Sequence, residues 1–231
     1  MLSAKNLNAY YGQAHILSDI NLEAAAGEVV VLLGRNGAGK STTLKALIGL
    51  VPPSGGEVVF RGERIDALQP FQIAQRGLGY VPEDRRIFTE LTVLENLEVG
   101  RQPARPGLPN WTVERLFKLF PNLAETGNRP AAQMSGGEQQ MLTIARTLMG
   151  NPACILLDEP SEGLAPVIVD QMAGVVRKMK SAGLSVLLSE QNLHLATEVA
   201  DRVYIIEKGR IRFDGAMRDL NAGVRSAYLA V

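Results

Sequence analysis

The stretch Gly34-Arg35-Asn36-Gly37-Ala38-Gly39-Lys40-Ser41 constrains this chain more than any other. It follows the apolar run Val29 to Leu33 and precedes a run of helical character, Thr42 to Leu50. Strand, glycine-rich loop and helix start therefore stand in the order that G-x-x-x-x-G-K-[ST] requires. The glycines let the backbone curl so that successive N–H groups point inward at an anion. The helix start adds the positive end of its dipole. Lys40 can bridge the outer phosphates of a nucleoside triphosphate, and the Ser41 hydroxyl can hold Mg²⁺. The expected ligand set of this loop is Gly34, Arg35, Asn36, Gly37, Ala38, Gly39, Lys40, Ser41 and Thr42. A turn that binds nothing would not need a strand and a helix in these places.

Around this loop the chain alternates strand and helix signals. Leu2 to Ala9, Ile16 to Leu22, Val58 to Phe60 and Leu78 to Val81 are short β-type runs, and Pro52 to Gly56 is a turn. From about Glu83 to Gly150 the character changes. Leu91 to Val99 and Val113 to Phe120 have helical spacing and are separated by a Pro/Gly-rich loop, Gln102 to Pro109. The α/β pattern returns with the buried-strand run Ala153 to Leu157. Beyond it lie a helix with an apolar face (Ile168, Met172, Val175, Val176, Met179) and the strand runs Val186 to Leu188 and Val203 to Ile206. These signals predict one domain over 1–231 with an α/β fold. They point to a mostly parallel sheet with helices on both faces and an inserted α-helical subdomain. The resemblance of the glycine loop to those of the P-loop NTPases implies a RecA-like core with an N-terminal antiparallel β part. The expected division is 1–84 with 151–231 for the core lobe, and 85–150 for the helical insertion. Ligands in such sheets bind at the carboxyl ends of the strands, where the glycine loop lies.

Two further elements carry chemistry. Cys154-Ile155-Leu156-Leu157-Asp158-Glu159 is an apolar strand ending in two carboxylates. Asp158 is placed to hold Mg²⁺, and Glu159 to polarise a water for attack on the γ-phosphate. Ser135-Gly136-Gly137-Glu138-Gln139-Gln140 precedes Met141, Ile144, Ala145 and Leu148 at helical spacing. Ser135 reads as an N-cap with Glu138 closing a capping box, which makes a second helix start open to an anion.

Together these residues resemble the ATP-binding cassette ATPases over essentially the whole chain. Ser135-Gly136-Gly137-Glu138-Gln139 resembles the family signature, with Met134 where leucine is usual. Asp158-Glu159-Pro160 resembles the Walker B element and its catalytic glutamate. The resemblance implies ATP and Mg²⁺ as ligands. It also implies a dimer in which the Ser135, Gly136, Gly137 and Glu138 signature of one subunit closes on ATP held by its partner's P-loop. Tyr11 stands where the family places an aromatic that stacks on adenine, with Tyr10 as the second choice. Three local runs narrow the resemblance to the second ATPase subunit of branched-chain amino-acid importers: Val81 to Phe88, Pro160 to Pro166 and Glu190 to Ala196. Such a system implies two membrane permease subunits, a second ATPase subunit and, indirectly, a periplasmic binding protein. The ATPase pair is implied to be a heterodimer, with a homodimer as the alternative. The implied location is the cytoplasmic face of the inner membrane, peripheral and held through the permeases.

Two positions depart from the general pattern. Glu83 stands where glutamine is usual and Gln191 where histidine is usual, both positions being γ-phosphate sensors in the family. Glu83 brings a negative charge that can either ligate Mg²⁺, alongside Ser41 and Asp158, or repel the phosphates. Gln191 can donate a hydrogen bond but cannot carry a proton. His194, one helical turn further on, is expected to be an ordinary helix residue. Phe88 and Leu91 lie between the core and the helical insertion and are candidate apolar contacts for a permease helix.

Composition removes several alternatives. Basic and acidic residues balance at 24 each, so no basic excess points to nucleic acid. The one cysteine, Cys154, excludes an internal disulfide and reads as a buried core residue. No apolar run approaches the ~20 residues that span a bilayer, and Met1 to Tyr11 does not read as a signal peptide. The interval from Glu83 to Ser135 is too short for the coiled coil of repair-type cassettes. A single cassette also differs from the paired cassettes of translation factors. The alternatives are an ATPase of the same fold for another cargo (urea or amides, or lipid or polysaccharide export) and a non-transport nucleotide switch.

Overall fold

A computed structural model of the chain describes residues 1–229. Two sheets organise it. The first is antiparallel, with strand order β2 (Ala14–Ala24), β1 (Leu2–Tyr11), β4 (Gly55–Phe60), β5 (Glu63–Arg64). The second runs β10 (Arg210–Ala216), β9 (Arg202–Glu207), β3 (Val29–Leu33), β8 (Ser185–Glu190), β7 (Cys154–Asp158), β6 (Leu78–Val81). All neighbours in this second sheet are parallel except β10, which returns antiparallel to β9.

The continuous apolar runs of the central strands follow from burial on both faces. In β3, Val29, Val31 and Leu33 enter one hydrophobic cluster, while Val30 and Leu32 enter the other. In β7, Ile155 and Leu157 face one way, and Cys154 and Leu156 the other. Tyr204 and Ile206 of β9 share the second cluster with α1 (Lys40–Leu47) and the antiparallel sheet. Helix α1 is therefore held between the two sheets, with Leu44, Ala46 and Leu47 buried. Burying one such leucine contributes about 1.5–3 kcal/mol, so the seat of α1 is among the firmer parts of the molecule.

The other cluster joins the opposite face of the parallel sheet to the helices between β6 and β7. These are α3 (Val93–Gly100), α4 (Val113–Leu119), α5 (Pro121–Glu125) and α6 (Gly136–Leu148). Helices α7 (Pro166–Ser181) and α8 (Leu193–Val199) pack on the same side. Thr92 caps α3, where Glu95 completes a capping box, and Thr112 caps α4. Ser135 caps α6, with its Oγ accepting from Glu138 N at 3.4 Å and its N–H donating to Glu138 Oε2 at 2.7 Å.

Helix α1 starts earlier and ends sooner than the sequence run Thr42 to Leu50 suggests. It ends because Gly49 takes a left-handed φ of 78°, a conformation that closes helices. Several elements are new relative to the sequence reading, among them α2 (Pro70–Gln75), α5 and β10. Helix α2 begins on a proline, α5 spans little more than a turn, and β10 alternates polar and apolar residues on a sheet edge. None of these three has a long apolar period to announce it. C-terminal to β10 lies α9 (Ala222–Tyr228). Among the described residues, no helix is long and apolar enough to cross a membrane.

Candidate functional site

Register brings the candidate residues together. Leu33, the last residue of β3, lies opposite Glu190 of β8, and Asp158 at the end of β7 lies opposite Ser189. The carboxyl ends of β3, β7 and β8 therefore present the glycine loop, Asp158-Glu159 and Gln191 side by side. The sheet's geometry places ligands at this edge.

The loop itself is tight. A Cβ on Gly34 would lie 2.6 Å from the Ile206 carbonyl oxygen, so only glycine fits. Gly39, at φ 112°, starts α1 without a side chain and without a capping bond, and no acidic residue stands in the first turn. The N–H groups of Lys40, Ser41 and Thr42 thus face forward with no acceptor inside the helix. Arg35, Asn36 and Gly37 are exposed, Ala38 is buried and Ser41 is half-buried. This helix start is uncapped and carries a buried cation and an adjacent hydroxyl. Its donor set fits a polyphosphate and its Mg²⁺.

The Lys40 ammonium is buried. It donates to the Gly34 and Arg35 carbonyls at 2.8 and 3.0 Å and pairs with Glu159 Oε1 at 3.0 Å. Lys40 and Glu159 are only 2 % and 8 % exposed, so the pair stands in a low-dielectric setting where each charge depends on the other. Gln191 Nε2 donates to Glu159 Oε2 at 2.7 Å and to Glu162 Oε2 at 3.1 Å. Burial pushes the Glu159 carboxyl up. Its bonds to Glu162, Gln191 and Lys40 outweigh that effect and hold it below the usual carboxylate range. Glu159 is thus kept ionised, as a water-polarising base requires. Glu162 moves the opposite way, pushed up to about 6 by its hydrogen bond to Glu159, then by burial and by the charges of Glu159 and Glu83.

Asp158 is fixed from both sides. Ser189 Oγ donates to its Oδ1 at 2.7 Å and the Tyr80 hydroxyl to its Oδ2 at 3.0 Å. Burial and the Asp158 charge raise the Tyr80 phenol, so it remains a donor. Glu159 follows with a left-handed φ of 44°, held by its N–H donating to Ser189 O and Oγ, both at 3.1 Å. A non-glycine residue in that conformation stores strain, and such strain concentrates at functional sites.

Other expected residues fall elsewhere. Glu83 is exposed just beyond β6 and acts on the cluster through its charge on Glu162. Tyr11 ends β1 and is 49 % exposed, whereas the Tyr10 ring stacks on His15 at 4.2 Å. Ser135 is exposed, and Gly136, Gly137 and Glu138 are half-buried at the start of α6. The Arg85 guanidinium lies against Gly136, where a Cβ would meet Nη1 at 2.7 Å, and Glu138 pairs with Arg129 at 2.8 Å. Among the described residues, no hydrogen bond or ion pair joins this quartet to the glycine loop. His194 is exposed and bonded to Asp170 at 2.9 Å, away from the cluster. The sequence reading passed over Ser189, Tyr80 and Glu162. Ser189 and Tyr80 are polar residues near the carboxyl ends of apolar strands, and that pattern was the available signal.

Fold and site define a P-loop NTPase with a RecA-like core. Residues 17–162 match the family described as ABC transporter, and the chain belongs to that family as an ATP-binding and ATP-hydrolysing transporter subunit. It is 42 % identical over 231 residues to the high-affinity branched-chain amino acid transport ATP-binding protein BraG of Pseudomonas aeruginosa, covering 99 % of each chain. It is 37 % identical to the lipopolysaccharide export system ATP-binding protein LptB of Haemophilus influenzae, covering 99 % of this chain and 97 % of the relative. A solved dimer of an ATP-binding cassette in a post-hydrolysis state with ADP and Pi superposes with a TM-score of 0.81 at 26 % identity, covering 94 % of this chain and 99 % of that one.

Proposed function

We propose that this chain is one of two ATPase subunits that power uptake of branched-chain or related amino acids through partner permeases. The observation that carries the hydrolytic part is the Lys40–Glu159–Gln191 contact set at the ends of β3, β7 and β8. Lys40 and the N–H groups from Gly34 to Thr42 hold the phosphates of ATP. Ser41 and Asp158 hold Mg²⁺, with Glu83 as a further oxygen, and the ion neutralises phosphate charge. Glu159 is the base, kept ionised by its neighbours, and Gln191 orients it. Tyr11 supports the adenine. Ser135, Gly136, Gly137 and Glu138 complete the site of a partner ATPase, a reading supported by the dimeric assembly of a structural relative.

The import assignment is supported by the 42 % identity to BraG along the full chain. An apolar cleft of about 650 Å³ between the core and the helical insertion supports permease docking. Leu50, Phe71, Phe88 and Val99 line it and are exposed there, Phe88 at 47 %. Leu91, the other candidate contact, is half-buried and does not line this cleft. A patch of this kind suits a short amphipathic helix laid into a groove. Held in this way, the chain works at the cytoplasmic face of the inner membrane, and a periplasmic binding protein delivers the cargo. Uptake of labelled leucine in a strain lacking this chain tests the assignment. Restoration by the chain and failure of Phe88→Ala, with ATP binding intact, are expected. Restored lipopolysaccharide export in place of leucine uptake would overturn it.

A further inference from the structure

One buried charge has no part in the account above. Glu190 ends β8, is 2 % exposed, and has its carboxylate turned inward. Its Oε1 accepts from the Ser161 N–H at 3.1 Å, and its Oε2 accepts from the Gln191 and Asn192 N–H groups, each at 3.1 Å. Ser161 lies on the loop that carries Glu159 and Glu162, whereas Gln191 and Asn192 start the turn into α8. A single carboxylate therefore fastens two loops that the sheet alone does not join.

We infer that Glu190 is a positioning residue for hydrolysis, setting the distance between Gln191 and the Glu159–Glu162 pair. The ring closes on itself. Glu190 holds the backbones of Ser161 and Gln191, and the Gln191 side chain then bridges Glu159 and Glu162 at 2.7 and 3.1 Å. An ionised carboxylate is the one side chain that accepts from three N–H donors at two oxygens without offering a clashing donor of its own. Burial raises the Glu190 carboxyl above its usual range, and the hydrogen bonds from Ser161, Asn192 and Gln191 offset part of that rise. An apolar side chain here would leave those three N–H donors without an acceptor, and the two loops would lose their common anchor. The inference rests on the reading of Glu159 as the base.

Glu190→Gln tests it, because the amide fills the same space but turns an NH₂ group against one of the two loops. Turnover, ATP affinity and the NMR signal of the Gln191 side-chain amide are measured in that variant, in Gln191→Ala and in the double variant. The expected result is a kcat lower by about tenfold or more, as misplaced catalytic groups show. ATP affinity stays within about twofold, the Gln191 amide signal shifts, and the double variant is no slower than Gln191→Ala alone. A folded Glu190→Gln protein with unchanged kcat and an unmoved amide signal overturns the inference, as does a loss that adds fully to that of Gln191→Ala. The NMR arm reads the clip without turnover. Turnover is read with the partner ATPase subunit present; an assembly containing the unsubstituted chain that hydrolyses no ATP would count against the base assignment, with the clip still decided by the amide signal.

Discussion

This chain contains two glycine-flanked helix starts, and they are built differently. Helix α1 begins at Gly39 with no capping side chain and no acidic residue in its first turn, and it buries a lysine. Helix α6 begins at Ser135 with a complete capping box, an acidic residue in its first turn and an exposed cap. The first leaves its N–H donors for a ligand and supplies the countercharge. The second satisfies part of its own donors and places Glu138 at the end where an anion would come. The lesson is a division of labour. In the proposed function the start of α1 forms this chain's triphosphate site by itself, and the start of α6 supplements a partner's site.

The sharpest way to break this contrast is to remove the buried cation. Lys40→Ala should weaken ATP binding by more than about a hundredfold and abolish turnover, since a buried charged contact to phosphate is worth several kcal/mol. Titration with a fluorescent ATP analogue reads the loss. Retained affinity would mean that the uncapped donors alone suffice.

The contrast was partly visible before any coordinates. The strand, loop and helix around Lys40 are contiguous, so their local pattern carried both the fold class and half of the site. Asp158 and Glu159 were legible because an apolar strand seldom ends in two carboxylates. What stayed hidden depends on contacts distant in sequence. Ser189 and Tyr80 meet Asp158 across β-pairings that no local signal encodes. Glu190 entered the sequence reading only as the first residue of the run Glu190 to Ala196, and its inward turn appears only with Ser161 beside it. Helix α2 and β10 were missed because one is too short and the other too polar for a period to register.

A smaller effect sharpens the α1 side. Gln191 holds Glu159 by a neutral amide, and histidine there could carry a proton. Gln191→His should raise steady-state ATPase several-fold, and an unchanged or lower rate would show that a protonatable side chain at this position does not limit turnover. Smaller again is a pH effect in the same cluster. Glu162 is pushed from an ordinary value of 4.5 up to about 6 in the fold, so the unfolded chain releases that proton first. The folded state therefore loses stability as pH rises from about 4.5 through 6, where the second carboxylate charge forms beside Glu159. Glu162→Gln should flatten this part of the melting-temperature profile. A profile identical to that of the unsubstituted chain would remove the coupling.

The smallest effect belongs to α6. Its cap bond is long at 3.4 Å, so Ser135→Ala should cost about 0.5 kcal/mol, the low end for lost caps. Urea unfolding followed by circular dichroism checks that figure.

The division of labour is tested most directly by equilibrium binding of MgATP to Glu159→Gln, with and without Ser135→Ala, at concentrations where the chain is monomeric. The account predicts one nucleotide bound per chain, with an affinity that Ser135→Ala leaves within about twofold. No binding by the monomer, or binding lost with Ser135→Ala, would contradict it and make the two helix starts equal partners in a single site.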